Sequence, residues 1–186
     1  MTVCGGSQSC GGSESHMRFK FQTDGLAPEK RIRDEYSVNT DISNEDLWIP
    51  YGPGYFQACY FNVTSGGFAN ILRLPPGTQL DPHYHVGIVH GYTIQGTWGY
   101  VEHPWRAVAG TYVFEPPGEL HTLMVPADAT EDMIAFFHLE GGLIYVDSIE
   151  NGQMIGYDDG FTLLEIARAH YKAKGLDMSA LDRMIR

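Results

Sequence analysis

The sequence predicts an all-β fold, a sandwich or barrel, with a short helical extension at its C-terminal end, and three observations carry that prediction. From Phe19 to about Tyr157 the chain runs in short stretches rich in Val, Ile, Tyr, Phe and Thr, the residue types that suit a pleated, half-buried surface. Glycine and proline punctuate those stretches at Pro53-Gly54, Gly66-Gly67, Pro75-Pro76-Gly77, Pro116-Pro117-Gly118 and Gly141-Gly142, as tight turns between many short strands require. Helical periodicity emerges after Tyr157, in the tail.

Taken in order, residues 1–17 come first. Met1 to Ser15 hold an imperfect repeat, Cys4-Gly5-Gly6-Ser7 and Cys10-Gly11-Gly12-Ser13, whose composition buries too little apolar area to offset backbone ordering. This segment is expected to be disordered, and Ser15-His16-Met17 reads as a cloning junction or an alternative start. Residues 18–157 are expected to form the β-domain. Residues 158–186 are the extension: Asp158-Asp159 offer caps, Phe161 to Lys174 places Leu164, Ala167 and Tyr171 on one face, and Gly175 stops the helix. A second short helix is expected after Asp177. Such a tail covers an open sheet edge, which would otherwise invite aggregation, or docks on a second subunit.

Composition narrows the function. The chain has 186 residues, 43% of them hydrophobic, enough for one buried core. Its formal net charge is −11, from 12 Lys+Arg against 23 Asp+Glu, which a phosphate backbone or an anionic membrane surface would repel. Apolar runs such as Leu143 to Val146 fall far short of the roughly 20 residues that span a bilayer. The first residues lack the basic start and apolar run of a secretory signal, so a cytoplasmic location is expected. Three cysteines, Cys4, Cys10 and Cys59, with no CxxC pair, support neither a disulfide scaffold nor a four-cysteine zinc knot. Free thiols are the simplest reading.

The histidines carry more information. Five of eight lie between positions 83 and 121, and His83 and His85 are separated by one residue. On a strand that spacing puts both imidazoles on one face, about 7 Å apart along the backbone, close enough to share an ion. An isolated HxH equally suits a structural strand, so the surroundings decide. Gly77 is followed by five residues, His83-x-His85, four residues, His90 and then Gly96; further on, Gly110 is followed by five residues, Pro116-x-Gly118, two residues and His121.

These two blocks resemble the paired signatures of the cupin superfamily. That resemblance implies a double-stranded β-helix, or jelly roll, with a metal inside the barrel held by His83, His85 and His121. Neutral imidazole suits zinc, iron, copper and nickel, and three protein ligands leave positions open for chemistry. The sequence departs from the pattern at the usual glutamate, where it offers His90 or, in the register set by Gly96, Val89, and at the final asparagine, where it has Val125. Alternation places His90, Tyr92 and Ile94 on one face of their strand and Gly91, Thr93 and Gln95 on the other; His90 is expected to point inward, as a fourth ligand or a group bonded to a carboxylate or substrate. Glu115, six residues before His121, is expected at the rim, orienting an imidazole or moving a substrate proton, with an exposed turn carboxylate as the plain alternative. Glu119 is expected to be solvated, His138 to be a core residue, and His103 and His170 to lie on the surface.

A narrower likeness spans Trp48 to Asp147. Trp48-Ile49-Pro50-Tyr51-Gly52-Pro53-Gly54, Val89-His90-Gly91-Tyr92, Tyr112-Val113-Phe114-Glu115-Pro116-Pro117-Gly118-Glu119 and Leu143-Ile144-Tyr145-Val146-Asp147 look like the ChrR-like cupin family that includes 2,4'-dihydroxyacetophenone dioxygenase. The resemblance implies a mononuclear non-haem Fe(II) site that cleaves the C–C bond beside the carbonyl of an aromatic α-hydroxyketone with O2, giving 4-hydroxybenzoate and formate. Zn(II) or another divalent transition metal is the alternative cofactor. The expected partners are an aromatic ketone and O2, with neither nucleic acid nor membrane, in a homodimer or homotetramer. Tyr92, Trp98, Tyr100 and Phe114 are expected to line part of the pocket. Two alternatives stay open: another metalloenzyme, such as a zinc isomerase or hydrolase or a β-diketone dioxygenase, and a non-catalytic sensory cupin of the anti-sigma-factor type.

Overall fold

Twelve strands and two helices account for most of residues 35–186, the part of the chain that the computed structural model describes. The expectations for residues 1–17, including the cysteine repeat, and for 18–34 lie outside the described residues. The strands are β1 (Ile49–Tyr51), β2 (Gly54–Phe61), β3 (Phe68–Leu74), β4 (His83–His85), β5 (Val89–Gln95), β6 (Thr97–Tyr100), β7 (Ala107–Val108), β8 (Tyr112–Glu115), β9 (Leu123–Met124), β10 (Met133–Leu139), β11 (Leu143–Val146) and β12 (Met154–Asp158). A 3-10 turn at Glu45–Leu47 precedes them.

The strands make two facing layers. One is a six-stranded antiparallel sheet ordered β1-β2-β3-β10-β5-β8. The other joins β12-β11-β4 to β9-β6-β7 through bridges at Gln79–Met124 and His83–His121. Between the layers lies the core, built from residues that alternate along each strand: Phe56 and Ala58, Phe68 and Leu72, Val89, Val113, and Met133, Ala135, Phe137 and Leu139. Period-2 side-chain alternation turns their neighbours outward. The result is the jelly roll that the sequence resemblance implies.

The turns follow from glycine and proline. Gly77, Gly96, Gly110 and Gly118 all have positive φ, a region that a Cβ disfavours. Gly96 is doubly constrained, since a Cβ there would stand 2.6 Å from the Asp132 carbonyl oxygen.

The tail forms the two expected helices, α1 (Gly160–Lys174) and α2 (Met178–Arg183). Asp159 caps α1 through its side chain, Thr162 reciprocates, and Gly175 ends it at φ 67°, a capping box and a left-handed C-cap. Helix α1 lies against β1, β2 and β12, and so covers the outermost strand of each layer. Its buried Leu163, Leu164, Ala167 and Tyr171 join the same core as the strands. Neither described helix is long and apolar enough to cross a membrane.

Candidate metal centre

One strand and one corner bring the histidines together. His83 and His85 are the first and last residues of β4, both facing the interior. The Pro116–Gly118 corner then returns the chain so that His121 lies opposite His83 in a narrow pair, with His83 N–H donating to His121 O at 2.9 Å and His121 N–H to His83 O at 3.0 Å. All three are buried, and one ring nitrogen from each lies within 4.8 Å of the others.

The ring chemistry fits a cation. His83 Nδ1–H donates to the Asp81 carbonyl at 2.9 Å, which leaves Nε2 bare. His85 and His121 turn their Nε2 atoms to each other at 3.2 Å. Two lone pairs do not face each other at that distance without a proton or a positive ion between them. Adjacent nitrogens about an ion at ~2.0–2.1 Å stand roughly 3.0–3.4 Å apart, so the spacing is that of neighbouring ligands. Burial, then the neighbouring His85, pushes His83 down to about 4; burial, then His83, pushes His121 down to about 3. At neutral pH both are unprotonated and ready to ligate. The Nδ1 atoms of His85 and His121 are buried without a partner, whereas a ligating histidine usually donates from its other nitrogen.

Glu115 is the last residue of β8 and faces inward, only 3% exposed; the exposed-turn alternative for it is thereby excluded. Its Oε1 accepts a hydrogen bond from Tyr100 Oη at 2.5 Å. Its Oε2 lies 3.0 Å from His85 Nε2 and 3.8 Å from His121 Nε2, out of line for a well-formed N–H bond. Burial, the largest influence, pushes this carboxyl up, but His85, Tyr100 and His121 together outweigh it and hold the group below its ordinary range. In the sheet register Glu115 is the cross-strand partner of Val89, the residue standing where the cupin pattern carries glutamate. A neighbouring strand therefore supplies the carboxylate that the first motif lacks.

His90 does not join this group. Along β5 Val89, Gly91 and Thr93 are buried while His90 is half-buried and Tyr92 and Ile94 are exposed, so the expected inward direction of His90 is corrected. Its Nδ1 is 2.7 Å from Tyr112 Oη, and its ring stacks on His138 at 6.3 Å on the outer face. His138 is thus outside the core as well. Tyr92 and Phe114 are exposed, at 49% and 53%, and do not line the pocket. Trp98 is fully buried with its indole N–H on Thr93 Oγ1; Tyr100 alone of the four expected aromatics lines the cavity and stacks on His121 at 3.8 Å. His103 pairs with Glu119 at 2.9 Å beside the site, and His170 sits on the surface against the Asp46 carbonyl.

The histidines open onto a cavity of about 50 Å³ whose walls are mostly apolar, with Phe68, Leu72, Phe137, Leu139, Leu143 and Leu163 among them. Three further polar side chains line it: Asn70, Tyr51 and Tyr145. Tyr145 Oη lies 2.6 Å from Tyr51 Oη, and Tyr51 Oη donates to Asp158 Oδ2 at 2.6 Å. Tyr51, Leu80 and Tyr145 also line an adjoining groove of about 500 Å³, so they form the partition between the two spaces. Tyr51 and Tyr145 stand in the phrases that carry the family likeness but nothing there marked them as lining residues, and Asn70 lies outside those phrases; a polar residue on the inward phase of Phe68-x-Asn70-x-Leu72 was the available signal for it.

Residues 39–144 match the model of the ChrR Cupin-like domain. Among solved structures, an RmlC-like cupin protein from Ralstonia eutropha is 28% identical, covering 75% of this chain and 92% of that chain at a TM-score of 0.66. A protein of unknown function with a cupin-like fold, also from Ralstonia eutropha, is 26% identical over 66% of this chain and 75% of that chain, with a TM-score of 0.62. An acetylacetone dioxygenase from Acinetobacter johnsonii shares 18% identity over 78% of this chain and 98% of that chain at a TM-score of 0.65, a likeness of fold. No curated protein matches the chain.

Proposed function

This chain belongs to the ChrR-like cupin family, and from that premise we propose that it is a mononuclear non-haem iron dioxygenase that cleaves the C–C bond beside the carbonyl of an α-hydroxyketone. The observation that carries the reading is the buried convergence of His83, His85 and His121 on one point beside the Glu115 carboxylate. Those three histidines would hold the iron, which when bound supplies positive charge for a chelating ketone and redox chemistry toward O2. Three neutral ligands and the single Glu115 carboxylate beside them would leave a divalent ion with a net positive charge, which favours an anionic enediolate form of the substrate.

The other roles belong to the chain itself. Glu115, held ionised by its neighbours, takes the proton released as the bound ketone enolises; the Tyr100 hydroxyl on Oε1 fixes the direction of Oε2. The apolar walls exclude water, so that proton passes to the carboxylate rather than to solvent. For 2,4'-dihydroxyacetophenone the balance is one ketone plus one O2 to one 4-hydroxybenzoic acid plus one formic acid, with both oxygen atoms retained in the products.

The cavity's size favours a second reading within the same chemistry. About 50 Å³ is well below the ~150 Å³ of an apolar cavity that takes benzene. A short-chain hydroxyketone demands the least displacement of the walls, whereas a β-diketone or an aromatic ring requires Tyr51, Leu80 or Tyr145 to move further. Anaerobic reconstitution with Fe(II) or Zn(II), followed by O2-uptake assays on hydroxyacetophenones, hydroxyacetone and acetylacetone, tests both. Uptake with iron alone is the expected result, and the preferred ketone decides between the two substrate classes. No uptake with any ketone, together with tight zinc retention, would move the assignment to a zinc isomerase or hydrolase or to a sensory cupin.

A further inference from the structure

Within the cavity one buried polar group has no partner that the metal centre explains. Asn70 sits on β3 between Phe68 and Leu72 on the inward row, is 6% exposed, and lines the cavity. Its carbonyl oxygen Oδ1 has no hydrogen bond. On the flanking strands its direct neighbours are Ala58 of β2 and Phe137 of β10, so its surroundings within the sheet are apolar. A buried acceptor left unpaired is costly, and a packed core replaces it with a hydrocarbon unless something else uses it.

The register fixes where that acceptor stands relative to the histidines. Asn70 shares an inward row with Phe137, Gly91 and Val113, while Glu115 lies one inward position further along β8. Strands β3 and β8 are separated by β10 and β5, a path of roughly 14 Å around the curved sheet at ~4.8 Å per strand. The straight line across the barrel is shorter, and the two side chains take up part of it. Asn70, His83, His85 and Glu115 line one cavity, so a molecule that chelates at the histidines with one end can present a hydrogen-bond donor to Asn70 with the other.

We propose that Asn70 selects substrate by accepting a hydrogen bond from a hydroxyl on the end of an aromatic ketone remote from its chelating oxygens. This rests on the aromatic form of the reading above and goes beyond it by naming the residue that reads the ring substituent. The amide acts on binding and specificity; it touches no metal ligand and moves no proton.

The test uses the full chain loaded with Zn(II), which binds ketones without turning them over, and titrates it calorimetrically with 2,4'-dihydroxyacetophenone and with 2-hydroxyacetophenone, which lacks the ring hydroxyl. The unmodified chain is expected to bind the first at least about tenfold more tightly, since a buried group built for a hydroxyl is left unpaired by the analogue. Asn70→Leu is expected to erase that preference, leave affinity for 2-hydroxyacetophenone within about twofold, and hold or raise the melting temperature of the metal-free chain. Asn70→Ala, which only empties space, is expected to erase the preference too and serves if the leucine does not fold. Equal binding of both ketones by the unmodified chain overturns the proposal and assigns the amide to cavity water. A preference that survives in both variants, or a melting temperature that falls in Asn70→Leu with the preference intact, makes Asn70 structural and overturns it as well. Binding of neither ketone overturns the aromatic reading itself, and the inference with it.

Discussion

The inside and the outside of the barrel hold the same kinds of side chain and do different things with them. On the inner side, His85, His121 and Glu115 are buried and within 3.0–3.8 Å of one another, against walls of leucine and phenylalanine. On the outer side, His90 and His138 stack beside Tyr112 and Phe114, all of them at least partly open to solvent. Inside, burial holds His83 and His121 in their neutral form and leaves lone pairs to find a cation; outside, the His90 ring nitrogen meets a tyrosine hydroxyl. Histidine spacing therefore acquires meaning only with the phase of its strand.

The sharpest way to break this contrast is metal analysis of single alanine variants. His83→Ala, His85→Ala and His121→Ala are each expected to abolish iron loading, measured as metal per chain after reconstitution, while His90→Ala retains full loading and activity within about twofold. Full occupancy in any of the first three removes that residue from the ligand set; metal loss in His90→Ala erases the distinction between the faces. Next in size is Glu115→Gln, expected to keep the metal and lower kcat by about 100-fold, the low end for removal of a general base. Unchanged turnover would reassign Glu115 to structure.

Acid sharpens the same comparison. His83 in the unfolded chain takes up its proton near pH ~6.5, but in the folded, metal-free protein only near 4. Because the unfolded state binds more protons between those values, stability is highest above about pH 6.5 and falls as the pH drops toward 4, by on the order of 3 kcal/mol from this residue. Urea denaturation of the metal-free chain across that range measures it, and His83→Gln is expected to flatten the slope. A stability that rises on acidification would contradict a histidine buried in its neutral form. The smallest effect belongs to the outer face: Tyr112→Phe removes the hydroxyl from His90 at a 58% exposed position and is expected to change stability by less than about 1 kcal/mol, read by the same denaturation.

How much of this was legible in the chain follows from the same two faces. His83-x-His85 and the Pro116-x-Gly118 corner before His121 are local patterns, and local patterns place their own side chains. Alternation along β5 separates His90 from Gly91 but does not say which side is inward, because the short connection from His85 to Val89 resets the phase. The cue was the glycine: a Cβ at Gly91 would stand 3.0 Å from the Phe137 ring, so that row must face the crowded interior. The pairing of Val89 with Glu115, which moves the carboxylate to another strand, and the meeting of Tyr51 with Tyr145 depend on contacts between residues 26 and 94 positions apart, beyond the reach of any spacing rule.

Asp158 and Asp159 are consecutive, and they hold two separate parts of one chamber's lining. Asp158 receives the Tyr51 hydroxyl at the partition between cavity and groove, and Asp159 caps the helix whose first turn places Leu163 in the wall. Partition and wall thus hang from a single peptide link, so a displacement of that joint is felt by a guest twice over, once on each of two sides of the space that holds it.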